Sequence, residues 1–249
     1  LIEDDLYGDV FFGHSRPKPC KAFDEKGLVL WCGSVSKTLA PGYRVGWIAP
    51  GKFKDAIIRQ KHIHLISTPT LNQEAIANFM ENGRYENHLR KLRHELHSNS
   101  LHLAQAITDY FPEDTKIITP QGGFMLWVEL NKKIDTTELY YKAMQHKISI
   151  APGRMFTLHD QYRNCMRLSF GQQWSAFIEE RLQVLGNIIK ESIRMTDILL
   201  YHFAEGFKSF LYFVFGHIRV VDPKRIFLVS VRIKGASRNK SNLFLQASD

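Results

Sequence analysis

The 249-residue chain has no uninterrupted apolar run of roughly 18 residues, so no membrane-spanning helix is expected. Cysteine is scarce. Cys20, Cys32 and Cys165 are odd in number and spaced like neither a zinc knuckle nor a disulfide framework. They read as thiols kept reduced in a cytoplasm. The opening residues lack a charged n-region and a small-residue cleavage site, so they are not expected to be a signal peptide. The chain begins at Leu1 rather than Met, inside a strand-like segment, and is therefore expected to be truncated at its start. Histidine is not scarce, at 11 residues, but no carboxylate or cysteine completes His62/His64 or His94/His97 at ligand spacing. No metal site is expected.

Charge is uneven. Of the net +8, half lies in residues 191–249, where nine lysines and arginines face five acidic residues. The basic balance therefore gives the rest of the chain little of the signature of nucleic-acid binding.

What is present is a lysine in a serine-rich turn. Ser34-Val35-Ser36-Lys37-Thr38 follows the apolar run Leu28 to Trp31, and Arg44 stands seven positions after Lys37. Earlier, Leu1-Ile2 leads into Asp4-Asp5-Leu6-Tyr7, and later Val45-Gly46-Trp47-Ile48 ends at Pro50-Gly51. Short apolar runs bounded by Gly, Pro and Ser read as buried strands of a mostly parallel sheet. Polar residues at their C-terminal ends stand where open α/β sheets bind ligands.

Together, in this order, these segments resemble fold-type I aminotransferases of class I/II. The likeness is to the branch holding kynurenine and aminoadipate aminotransferases and the aminotransferase-like domains of MocR-type GntR regulators. That pattern is Asp-x-x-Tyr, then Ser-x-Ser-Lys, then Arg, met here by Asp4/Tyr7, Ser34/Ser36/Lys37 and Arg44. The resemblance implies pyridoxal 5'-phosphate as cofactor. Lys37 would form the Schiff base and shuttle the proton, and Asp4 would keep the pyridine nitrogen charged. Tyr7 would bond the ring oxygen, while Ser34, Ser36 and Arg44 would hold the phosphate. Asp5 is the rival of Asp4, with the spacing to Tyr7 favouring Asp4. Arg167, in Met166-Arg167-Leu168-Ser169-Phe170, matches the arginine that grips a substrate α-carboxylate with its two-pronged fork. Pro152-Gly153-Arg154-Met155-Phe156 resembles the loop that shapes the substrate side. Gly122-Gly123 matches a glycine pair whose expected job is close backbone approach.

The expected architecture is α/β, with residues 1–95 forming part of the large cofactor-binding domain and residues 96–190 a small α+β domain. Lys52 to Phe79 reads as two helical pieces broken at Thr68-Pro69-Thr70, and Tyr85 to Tyr110 as one long amphipathic helix. Strands are expected at 116–120, 123–130 and 166–170, and helices at 136–146 and 176–189. The resemblance stops near Glu191. Residues 191–249, aromatic-rich from Phe203 to Phe215 and then polar, carry strand-like patches but no recognised motif. They read as a tail foreign to the family fold, or else as an extra membrane-surface or partner module.

Two functions share these residues. One is the effector-sensing domain of a MocR-type regulator, a homodimer binding DNA only through a domain that lies outside this sequence. The other is a stand-alone transaminase moving an amino group between an amino acid and a 2-oxo acid. The Ser-Lys-Thr-Leu-Ala-Pro-Gly-Tyr-Arg-Val-Gly-Trp text leans to the regulators.

Overall fold

A computed structural model describes residues 1–215, 218–220 and 229–231, with side chains through Glu205. The chain divides into two compact units, Leu1–Lys190 and Glu191–Asp249.

In the first unit, β1 (Ile2–Asp4) pairs in parallel with β2 (Leu30–Ser34), and β2 pairs antiparallel with β3 (Gly46–Ala49). The sheet is mixed because only the short lysine turn joins β2 to β3, and parallel neighbours need a crossover of a dozen residues or more. Antiparallel pairing also brings the start of β3 beside the ends of β1 and β2. Contrary to the buried strands expected here, β1 and β3 are largely exposed. The helices that follow, α1 (Lys54–His64) and α2 (Thr70–Glu81), together bury only Ile76.

The packing lies further on. The helix α3 (Arg84–Tyr110) buries Tyr85, Leu89, Leu96, Leu103, Ala106 and Ile107 along one stripe at helical spacing. The second sheet runs in the order β4-β5-β7-β6, from β4 (Lys116–Ile117), β5 (Met125–Glu129), β6 (Ala151–Pro152) and β7 (Cys165–Ser169). Between them α4 (Thr136–Gln145) starts at Asp135, whose carboxylate accepts the Thr137 N–H and so caps the helix.

The register of β5 on β7 decides which side chains enter the core. Leu126 opposes Leu168 and Val128 opposes Met166, all four buried, whereas Trp127 opposes Arg167 on the other face. Each fully buried aliphatic contributes about 1.5–3 kcal/mol. The alternation of strand side chains thus puts Arg167 on the face turned away from the core.

The last helix, α5 (Ala176–Phe215), brings Leu182, Leu185, Ile188 and Ile189 onto this core. It continues past the expected end near Lys190, because no proline and no left-handed glycine interrupts the helix-forming run. The aromatic-rich segment to Phe215 is part of this helix. In the second unit β8 (Ile218–Val220) pairs antiparallel with β9 (Val229–Val231). The polar end, residues 232–249, lies outside the described residues.

Candidate functional site

The ends of β1 and β2 carry the polar residues singled out in the sequence. Asp4 is the last residue of β1 and stands in register with Cys32, two positions before Ser34. Burial, and then the neighbouring charge of Asp4, push the Cys32 thiol up from its ordinary range. Asp5 is engaged elsewhere. It accepts a hydrogen bond from Trp31 Nε1 at 2.7 Å and an ion pair from Arg16 at 2.5 Å, while Arg16 also reaches Asp9 at 2.7 Å. Gly8 permits this cluster, since a Cβ there would stand 2.3 Å from an Asp5 carboxylate oxygen. The Asp4 carboxylate makes no hydrogen bond or ion pair among the described residues, so of the two aspartates it is the one free to meet a ligand.

The lysine turn is built from internal hydrogen bonds. The Val35 carbonyl accepts the N–H groups of Leu39 and Ala40 at 2.8 and 3.1 Å, and Val35 is fully buried. The Ser34 hydroxyl lies 2.8 Å from the Val45 carbonyl and accepts the Ser36 N–H at 3.0 Å. Ser36 Oγ stands 2.9 Å from Ser34 Oγ. Ser34 thus holds the turn closed, whereas Ser36 keeps hydrogen-bonding capacity to spare. Arg44 adopts the left-handed conformation, with φ 52°, at the end of the Pro41–Tyr43 turn, and it is exposed. A non-glycine residue held there costs roughly 1–3 kcal/mol and marks a turn fixed by its surroundings. Asn72 supplies part of that fixing, donating to the Tyr43 carbonyl at 2.9 Å.

Lys37 is exposed, and its Nζ lies 6.0 Å from the centre of the Tyr7 ring with no ion pair among the described residues. Tyr7 in turn meets Phe124 edge-on, with ring centres 5.9 Å apart. Beyond it opens a cavity of about 460 Å³ lined by Tyr7, Phe11, Gly122, Gly123, Phe124 and Arg167 among others. The volume is that of an ordinary small-molecule site. The Arg167 guanidinium stacks on the Phe156 ring at 4.4 Å, and Phe156 meets Trp127 edge-on at 5.6 Å. The Pro152–Phe156 loop therefore shapes the setting of this arginine.

The glycine pair does what its chemistry allows. The Gly123 N–H donates to the Val10 carbonyl at 2.7 Å, and a Cβ on Gly122 would come within 2.3 Å of that same oxygen. Any larger residue would push residues 10–12 off the second sheet. That strap runs on directly from Tyr7, so it brings the Tyr7 segment and the Arg167 strand to one cavity.

The structure thus lines one cavity with Tyr7 and Arg167, sets Lys37 near the Tyr7 ring, and places Asp4, Ser34, Ser36 and Arg44 at or just beyond the strand ends of the first sheet. Sequence reasoning missed Arg16 and Trp31, which engage Asp5. It also missed Tyr85 and His88, which contact Thr38 beside the lysine. Their signal was present: they are polar-capable residues three apart on the same stripe of α3 as Leu89.

Comparison with known proteins identifies the family and the fold. The family model "Aminotransferase class I and II" matches residues 1–176. The HTH-type transcriptional regulator YdcR of Escherichia coli is 38% identical over 193 residues, covering 78% of this chain and 41% of its own. The aromatic-amino-acid aminotransferase 1 of Thermococcus litoralis is 32% identical, covering 78% of this chain and 47% of its own. The alpha-aminoadipate aminotransferase LysN of Thermus thermophilus, solved with N-(5'-phosphopyridoxyl)-L-leucine, superposes with a TM-score of 0.73 at 25% identity, over 78% of this chain and 51% of that one. The chain spans about half the length, or less, of these relatives. It belongs to the class I and II aminotransferase family, with the fold-type I architecture.

Proposed function

We propose that this chain is the effector-binding, aminotransferase-like part of a MocR/GntR-type transcriptional regulator, holding pyridoxal phosphate and an amino acid or amine. The whole protein would act in the cytoplasm as a homodimer and bind DNA through a further domain. One observation carries the reading: the Lys37 amine stands 6.0 Å from the centre of the Tyr7 ring, and Tyr7 and Arg167 line one cavity. The higher identity to an HTH-type regulator than to an aminotransferase favours a sensor.

The residues fit the cofactor by their chemistry. Lys37 offers an amine for its carbonyl carbon, unpartnered Asp4 a carboxylate for its ring nitrogen, and Tyr7 a hydroxyl for its ring oxygen. Ser36 and Arg44 offer a hydroxyl and a guanidinium for its phosphate, and Ser34 keeps the turn that presents them. When bound, the cofactor supplies an electron sink beside the ligand's α-carbon. Arg167 takes the ligand's carboxylate in its fork and fixes that carbon's position, with Phe156 holding the guanidinium plane. The Lys37 amine, once released and neutral, takes up and returns the α-proton. Gly122 and Gly123 keep residues 10–12 packed over this space and so limit water.

The test uses the full-length protein. Reduction with borohydride after loading should fix pyridoxal phosphate to Lys37, read by peptide mass spectrometry. Amino acids or amines should change the protein's affinity for its own promoter DNA. Sustained amino-group transfer to a 2-oxo acid without DNA binding would replace this reading with that of a stand-alone transaminase.

A further inference from the structure

The lysine turn is gripped from α3 at the residue next to the lysine. Thr38 is almost fully buried, so its carbonyl and hydroxyl need protein partners. Both have one. Tyr85 Oη lies 2.8 Å from Thr38 Oγ1, in the interior, and His88 Nε2 lies 2.7 Å from the Thr38 carbonyl oxygen. A carbonyl can only accept, so His88 carries a proton on Nε2. Burial pushes the Tyr85 phenol up, which keeps its hydroxyl proton available.

The grip is itself braced. Tyr85 and His88 stand three residues apart and therefore share one face of α3. Phe79 of α2 sets its ring edge-on against both, with centres 6.5 and 6.3 Å away. At the other end of the turn Val35 is buried and accepts two backbone N–H groups. Only Ser36 and Lys37 lie between these two buried anchors, and Lys37 projects outward towards the Tyr7 ring. Neither Tyr85 nor His88 lines the cavity, and both meet the lysine turn at Thr38.

We propose that Tyr85 and His88 are positioning residues, which by holding the Thr38 hydroxyl and carbonyl fix where the Lys37 amine stands relative to Tyr7. The inference rests on the reading of Lys37 as the residue that attaches pyridoxal phosphate. A lysine side chain has four rotatable bonds, and its reach is decided by the direction its backbone gives it. With the Thr38 peptide free to rotate, the amine spends less time in the productive place, although no group that touches the cofactor has changed.

The experiment compares full-length wild type with His88→Leu, His88→Gln, Tyr85→Phe and Thr38→Val, each first checked for native far-ultraviolet circular dichroism. Proteins are mixed with limiting pyridoxal phosphate and quenched with borohydride at short times, and the label on the Lys37 peptide is counted. His88→Leu and Thr38→Val should slow labelling about three- to tenfold, the weight of one hydrogen bond. His88→Gln, whose amide N–H reaches the same carbonyl, should return close to wild type, a rescue that bulk packing would not give. Tyr85→Phe should match Thr38→Val, and the double variant should be no worse than either, since all remove one bond. Equal labelling of Lys37 across the folded variants overturns the inference alone. A wild-type label on another lysine overturns the reading of the site and this inference with it. If His88→Leu does not fold, Tyr85→Phe and Thr38→Val decide, because each removes a polar contact with almost no change of shape.

Discussion

Residues 1–83 carry most of the candidate chemistry and almost none of the packing, whereas residues 84–190 reverse that division. In the first stretch α1 buries no side chain, and Ile2 and Ile66 are 73% and 92% exposed. In the second, Leu126, Leu139, Met166, Leu185 and Ile189 are fully buried. The site residues of the first stretch are therefore fixed by reach rather than by a core of their own. Thr38 is tied to α3, Asp5 to Arg16 and Trp31, and residues 10–12 to Gly122 and Gly123. Apolar strand faces of this kind are normally covered on both sides. That is the physical ground for placing the homodimer in the proposed function.

The comparison breaks most sharply at Lys37. Replacing it by Ala should abolish covalent labelling by pyridoxal phosphate and borohydride at this position while leaving the melting temperature nearly unchanged, because the side chain is exposed and unpaired. A residual label elsewhere, at the wild-type level, would assign attachment to another lysine.

Core truncations come next and separate the two regions directly. Leu185→Ala should destabilise by about 2–5 kcal/mol through lost burial and the cavity left behind. Ile63→Ala on α1 should stay within about 0.5 kcal/mol, since Ile63 is exposed and Ala is the better helix former. Chemical denaturation of the full-length protein, followed by tryptophan fluorescence, measures both. A loss at Ile63 comparable to that at Leu185 would show that α1 is buried in the assembled protein.

Legibility in the sequence follows the same division. The helices α3 and α4, the break between α1 and α2, and the strands around Trp127 and Arg167 were readable because their apolar periodicity answers to a local core. Lys37, Asp4, Tyr7 and Arg44 stand out in the sequence as a spaced set, and their chemistry belongs to the proposed function. The exposure of β1 and β3 was not readable, because an apolar run looks the same whether its cover is present or not. Nor were the Thr38–His88 and Asp5–Arg16 contacts, which join residues 50 and 11 positions apart through side chains that each look like ordinary surface groups. The length of α5 was missed because aromatic-rich text suits strand and helix alike.

Arg167 sits in the packed region yet faces the cavity that Tyr7 also lines, so it crosses the division. Arg167→Lys should weaken carboxylate-bearing ligands by about 1–3 kcal/mol, since lysine keeps the charge but loses the fork and the stack on Phe156. Amines without a carboxylate should bind as before, and the melting temperature should hardly move. Titration calorimetry with matched amino acid and amine ligands measures the split. Equal losses for both would make Arg167 a structural residue.

The smallest effect is expected in the turn before β2, where the first stretch stabilises itself. The Asp24 carboxylate accepts from Lys21 Nζ and from the N–H groups of Leu28 and Val29, all at 2.8 Å. The Lys21 contact first, and then the Val29 N–H, hold its pKa well below the ordinary carboxylate range. A carboxyl whose folded pKa is depressed favours the folded state at every pH above its unfolded value near 4, and that contribution is lost as pH falls further. Asp24→Asn should therefore lower the melting temperature at pH 7 slightly, and the gap to wild type should begin to narrow on acidification below about pH 4. Thermal melts of both proteins from pH 7 down to pH 3 measure it. A gap that persists unchanged at pH 3 would mean that the turn depends on the shape of the side chain rather than on its charge.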